Sequence, residues 1–206
     1  MTVKTLTKEP FNLIVAGVGG QGNVLMSLLI GMALVREGYF IGVSDTYGAS
    51  QRGGSVASHI RISKETQYSC LIPTGHAHFI LGMEPVETLR MLGQFGNPNV
   101  MTITNPRPVY PPAVITGAAE YPDLDELMET IKKFSARSWI VNATDEAMKM
   151  GNPIFANMIL VGALIGTDVL PLARKSMEPV LRERFSGKRF DDNMVAFDKG
   201  MELVRQ

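Results

Sequence analysis

Six residues, Gly17-Val18-Gly19-Gly20-Gln21-Gly22, lie between an apolar run and a helix-like stretch. Glycines at such a junction let the chain turn sharply and let an anion approach main-chain N–H groups, while the helix start adds the positive end of its dipole. Gly17, Gly19 and Gly22 satisfy the G-x-G-x-x-G spacing of phosphate-binding loops. Close packing of a strand on a helix accounts for the same glycines. Asp45 follows Gly22 by 23 residues and ends a second strand-like run. A nicotinamide-dinucleotide fold keeps the acid that binds a ribose hydroxyl at that place. An aspartate opening a turn before Thr46 is the plainer account.

A second constellation runs from Asp45 to Ser55. It gathers hydroxyls such as Thr46, the amide of Gln51, the guanidinium of Arg52, and the glycines Gly53 and Gly54. An arginine among small residues can grip a carboxylate or phosphate with two parallel hydrogen bonds. A solvated loop with turn glycines is the alternative. His76 and His78 are two residues apart and would share a face in a strand, but two ligands do not make a zinc site. His59 falls on a strand with no base-and-nucleophile partner evident in the sequence.

The elements that must position these groups follow from hydrophobic periodicity. Residues 11–16 read as a buried strand and 20–37 as a helix. Val24, Leu25, Leu28, Leu29, Met32 and Val35 form its expected apolar face, and Gly38 stops it. Residues 39–43 read as a second strand and 44–54 as a loop, followed by an alternating, half-exposed strand over 55–62. Further strands are expected at 77–83, 99–104 and 139–141, with helices beginning at Pro85 and spanning 123–135. Between them, residues 105–122 hold five prolines and read as an extended excursion. Four helices follow, at 143–151, 154–167, 177–185 and 191–204. Strand–helix alternation followed by helices argues an α/β fold, a mostly parallel sheet with helices packed on it. Both glycine-rich loops follow the first two strands and so belong at the carboxyl edge, where open α/β sheets bind ligands.

Composition excludes several classes. The 206 residues carry 20 Lys+Arg against 20 Asp+Glu, which argues against a nucleic-acid binder and its basic face. A chain that is 45% hydrophobic with no net charge is not disordered. Cys70 is the only cysteine, so it can form no intrachain disulfide and cannot supply the four thiolates of an iron–sulfur cluster. A reducing compartment suits it, and the first ten residues show no apolar signal core, so a cytoplasmic protein is expected. The longest apolar stretch, residues 154–165, falls short of the roughly 20 residues that a membrane span needs. The 13 methionines suit a chain that buries surface against a partner, or against a second copy when isolated.

Taken together, Gly17-Val-Gly-Gly-Gln-Gly22, Asp45-Thr-Tyr-Gly48 and Ser50-Gln-Arg-Gly-Gly-Ser55 resemble the gamma subunit or domain of 2-oxoacid:ferredoxin oxidoreductases of the pyruvate/ketoisovalerate type. Within that family the chain is most similar to the small subunit of the indolepyruvate type. Asn152-Pro-Ile-Phe-Ala-Asn157 and Asp192-Asn-Met194 extend the similarity over nearly the whole chain. The resemblance implies one three-layer α/β/α domain over residues 1–206, Rossmann-like in its N-terminal half and helical toward its C-terminus. It implies a non-autonomous subunit of a complex that oxidatively decarboxylates a 2-oxoacid, an arylpyruvate first, with 2-oxoglutarate or a branched-chain oxoacid as alternatives. Such a complex uses thiamine diphosphate, coenzyme A and iron–sulfur clusters, passing electrons to ferredoxin. The chain itself has one cysteine and no Gly-Asp-Gly of a thiamine site, so it is expected to bind none of these cofactors alone and to depend on a large partner subunit. On this reading Gly17, Gly19, Gly20, Gln21, Gly22, Thr46, Gln51, Arg52, Gly53 and Gly54 wall a shared cofactor cleft, with Arg52 as the anion clamp. A stand-alone dinucleotide-binding protein and a pure interaction subunit are the competing classes.

Overall fold

A computed structural model describes residues 5–48 and 53–205. The chain runs β1 (Phe11–Val18), α1 (Asn23–Arg36), β2 (Phe40–Tyr47), β3 (Ser55–Ser63), β4 (Phe79–Gly82), α2 (Pro85–Phe95), β5 (Met101–Thr104), α3 (Pro112–Ile115), α4 (Leu124–Lys133), β6 (Arg137–Ile140), α5 (Ala143–Lys149), a 3-10 turn (Pro153–Phe155), α6 (Ala156–Gly166), α7 (Arg174–Arg184) and α8 (Lys188–Leu203). The six strands are ordered β2-β3-β1-β4-β5-β6. β1, β4, β5 and β6 are parallel, and β3 runs antiparallel to both β1 and β2. β2 therefore runs the same way as β1, and the loops that follow both strands share the carboxyl edge.

The sheet separates two cores. Leu13 and Val15 of β1 face α1, α6, α7 and α8, while Ile14 and Ala16 face α2 and α4. This alternation is why β1 is buried along its whole length and reads as a continuous apolar run. Helix starts follow capping chemistry. Glu84 caps α2 ahead of Pro85, and the Asp123 carboxylate accepts from the N–H groups of Asp125 and Glu126 at the start of α4. α6 is buried at every residue. It meets α8 backbone to backbone: a Cβ on Gly162 would lie 1.9 Å from the Phe197 carbonyl oxygen, and one on Gly200 would lie 1.8 Å from that of Ile159. Only glycine permits this approach.

Four expectations need correction. The buried face of α1 is Met26, Leu29, Ile30, Ala33 and Leu34, while Leu28 is 49% and Val35 58% exposed. The helix is apolar nearly all round, so its period cannot choose a face; packing on β1, β3 and α7 does. Val24, Leu28 and Val35 instead line a groove with Ile41 and Val43 of β2. β2 continues through Asp45, Thr46 and Tyr47, which were expected in the loop. β3 is an interior strand and not half-exposed, because Ile72, Ala77 and Phe95 join Ala57 in the second core. The excursion at 105–122 contains the short α3, started by the Pro111-Pro112 pair.

Candidate functional site

The glycine loop leaves β1 at Val18 and turns into α1 at Gly22. The Gln21 side chain closes it: Oε1 accepts from the Val18 N–H at 2.7 Å, and Nε2 donates to the Met83 carbonyl at 3.4 Å. Gly17 ends within β1, and a side chain there would collide with the Gln21 and Asn23 amides. Gly22 caps α1 with φ +84°, the left-handed region that glycine enters without strain, and a Cβ on it would sit 2.2 Å from Asn157 Nδ2. Gly20 is exposed.

The second glycine loop touches the first. The Gly19 N–H donates to the Gly54 carbonyl at 2.8 Å, and the Gly53 N–H donates to the Gly19 carbonyl at 3.4 Å. Gly19, Gly20, Gln21, Gly22, Gly53 and Gly54 are thus brought together at one end of the sheet. Gln51 and Arg52 lie outside the described residues. Thr46 is spent within the sheet, its hydroxyl donating to the Ala57 carbonyl at 3.1 Å.

Asp45 does not join this edge cluster. β3 stands between β1 and β2, which places β2 about 10 Å from β1 by ordinary strand spacing. Asp45 accepts a hydrogen bond from its cross-strand neighbour Ser58 and lines the groove beside α1. The dinucleotide geometry needs the two strands adjacent, so the spacing match has no counterpart in space.

Two clefts of similar size, about 500 Å³ each, flank the glycine loop. One is acidic. Glu84, Glu87 and Glu120 line it with Ser55, Arg90 and Tyr121. Its polar groups are mutually satisfied: Glu84 accepts from the Glu87 and Val109 N–H groups and from the Tyr121 hydroxyl, and Glu87 accepts from Ser55 Oγ and pairs with Arg90 at 3.5 Å. Burial, reinforced by the Glu84 carboxylate, pushes the Tyr121 hydroxyl far above the usual phenol range, so it stays a donor. Glu84 thereby ties the 105–122 strap to the start of α2.

The other cleft has no carboxylate in its lining. Gly20, Gln21 and Gly22 form one wall, Arg107 comes from the strap, and Asn152 and Asn157 come from the start of α6. The N–H groups of Gly20, Gly22, Asn23, Val24 and Leu25 have no acceptor among the described residues. Asn105 braces the floor, with Nδ2 donating to the Met83 carbonyl at 3.1 Å and to Thr144 Oγ1 at 3.0 Å. The sequence reading left Arg107, Asn105 and Glu84 without roles. Asn157 was visible only as the last residue of Asn152-Pro-Ile-Phe-Ala-Asn157, with no chemistry attached.

His59 and His78 are structural, and His76 is exposed. His78 Nδ1 accepts the Asn12 N–H at 2.9 Å, and His59 Nδ1 accepts the Ile72 N–H at 3.4 Å. Burial lowers both their pKa values. Among the described residues no three metal-ligating side chains converge, and no helix is long and apolar enough to cross a membrane.

The model of the pyruvate ferredoxin/flavodoxin oxidoreductase family matches residues 12–203, and the chain belongs to that family. It is 36% identical over 199 residues to the indolepyruvate oxidoreductase subunit IorB of Thermococcus kodakarensis, covering 96% of this chain and 98% of that one. The IorB subunit of Archaeoglobus fulgidus is 38% identical over 189 residues, 92% of each chain. Among solved structures, pyruvate oxidoreductase subunit PORC of Thermotoga maritima superposes with a TM-score of 0.71 at 18% identity, covering 95% of this chain and 97% of that one. The 2-oxoglutarate:ferredoxin oxidoreductase of Magnetococcus marinus, solved with 2-oxoglutarate, coenzyme A and succinyl-CoA bound, gives 0.75 at 21% identity. There the match covers 96% of this chain but 31% of that one.

Proposed function

We propose that the chain is the small subunit of an indolepyruvate:ferredoxin oxidoreductase, acting with a large subunit that carries thiamine diphosphate and the iron–sulfur clusters. The observation that carries this reading is the near full-length similarity, at 36–38% identity, to IorB subunits. The large subunit oxidises and decarboxylates the 2-oxoacid and sends electrons to ferredoxin, and coenzyme A accepts the acyl group. The small subunit contributes the carboxyl edge of its sheet. Gly20, Gln21 and Gly22 wall the coenzyme cleft, and Gly53 and Gly54 adjoin it through their hydrogen bonds to Gly19; on the same reading Gln51 and Arg52, with Arg52 as the anion clamp, contribute to it. Thr46, whose hydroxyl donates to the Ala57 carbonyl, contributes through the end of β2.

The chain's own part is to bind and orient. Backbone N–H groups at the loop and helix start can receive phosphate oxygens without changing protonation. The strap and the start of α6 form the other walls of the cleft. Co-expression with the large subunit tests the reading. An affinity-tagged chain is expected to bring down a protein with cysteine clusters and to support coenzyme A-dependent oxidation of indolepyruvate. An Arg52→Ala complex is expected to show a raised KM for coenzyme A. Recovery of a lone, inactive chain would refute the assignment.

A further inference from the structure

We propose that the carboxylate-free cleft is a diphosphate site in which the Asn157 amide and the Arg107 guanidinium hold the anion. The inference rests on reading the chain as a coenzyme-handling subunit, and it moves the anion-binding centre to residues that the glycine motif does not include.

Asn157 is 8% exposed, and its side chain has no hydrogen-bond partner among the described residues. Its amide atoms are not sealed off, since the buried side-chain atoms left without a partner among the described residues belong to Asn23 and Thr104, so the Asn157 amide is open to the cleft and able to meet a ligand. It is not there by default of space, because Gly22 packs directly on it and would collide with it if it carried a Cβ. The amide is therefore wedged between the glycine loop and the start of α6, in the wall of the cleft. Any ligand that accepts hydrogen bonds there completes it.

Three further features select an anion. The N–H groups of Gly20 and Gly22 and of the first three residues of α1 have no acceptor among the described residues. They concentrate positive partial charge at one end of the same cleft. Arg107 supplies a full charge, forms no ion pair among the described residues, and is held in an extended stretch between Pro106 and Pro108. No Asp or Glu lines the cleft, so nothing there repels an anion. A volume of about 500 Å³ accommodates more than one phosphate group. Coenzyme A and thiamine diphosphate both carry a diphosphate, and that shared group is what the residues fit.

The experiment has a binding arm and a kinetic arm. In the first, the full-length chain is titrated with inorganic pyrophosphate by calorimetry, as wild type, Arg107→Gln and Asn157→Asp. Saturable binding is expected, weakened at least tenfold by either substitution; Asn157→Asp keeps the shape and adds a repelling charge. Absence of binding to the wild type, or equal binding by the variants, overturns the site. Arg107 is exposed, so its variant stays informative if Asn157→Asp fails to fold. In the second arm the same variants are assembled with the large subunit. A tenfold rise in the KM for coenzyme A with an unchanged KM for the oxoacid assigns the site to coenzyme A. A weakened requirement for thiamine diphosphate instead assigns it to that cofactor. Movement of neither overturns it. Pyrophosphate binding without oxoacid oxidation by the wild-type complex would sink the proposed function and leave the site standing; full activity with silent variants would do the reverse.

Discussion

The two clefts beside the glycine loop share a sheet edge and a size, and the strap at 105–122 contributes to both. They differ in how their polar groups are used. In the acidic cleft Glu84, Glu87, Tyr121 and Ser55 are consumed by one another. In the other, Asn157, Arg107 and a row of backbone N–H groups have no partner among the described residues. Buried groups engaged with one another hold a structure together, whereas cleft-facing groups with no protein partner are open to a ligand. Substitutions on the two sides should therefore separate stability from binding.

The sharpest contrast comes from removing a carboxylate. Glu84→Ala leaves the Tyr121 hydroxyl and two backbone N–H groups without their acceptor and uncaps α2. A loss of about 3 kcal/mol is expected, which lowers the melting temperature by roughly 6–12 °C. Arg107→Gln in the neighbouring cleft should stay within about 0.5 kcal/mol of wild type. Equal melting losses would break the comparison. Tyr121→Phe removes a single charge-assisted bond and should cost about 2 kcal/mol in denaturant unfolding. Gly22→Ala forces a side chain into the left-handed region beside Asn157, at about 1–2 kcal/mol, and should also weaken pyrophosphate binding. A variant that melts normally would mean that the loop relaxes at no cost.

The mildest test is pH. His59 and His78 accept backbone N–H groups at Nδ1, and burial holds their pKa values below the ordinary 6.5. The unfolded chain takes up protons at pH 6.5, before the folded one does. Stability is therefore complete above pH 6.5 and declines as the pH falls through that value toward the lowered ones. The partly buried Glu146, depressed by its hydrogen bond to Lys149, acts only below its ordinary 4.5. A melting temperature that is level from pH 7.5 to 5.5 would contradict the neutral assignment of the two rings.

Much of this was legible in the sequence. β1, the glycine loop and the α2 start at Pro85 carry local signals: a continuous apolar run, glycine spacing and a first-turn proline. What was not legible is decided by neighbours distant in the chain. The buried face of α1 is chosen by β3 and α7, and the Asp45 spacing misleads because β3 is inserted between two strands that are consecutive up to that point. The site divides the same way. Gly19, Gly20 and Gly22 announce themselves, whereas Asn157 acquires meaning only when Gly22 packs on it. Nothing about an asparagine near an apolar helix says in advance that it will be left unpaired.

The glycine contact between α6 and α8 has a mechanical consequence. Where their main chains touch at Gly162 and Gly200, the two helices have no side-chain cushion to slide on, so they are locked together like one stiff beam. Asn157 is mounted at one end of that beam, while Arg107 and the glycine loops hang from connections outside it.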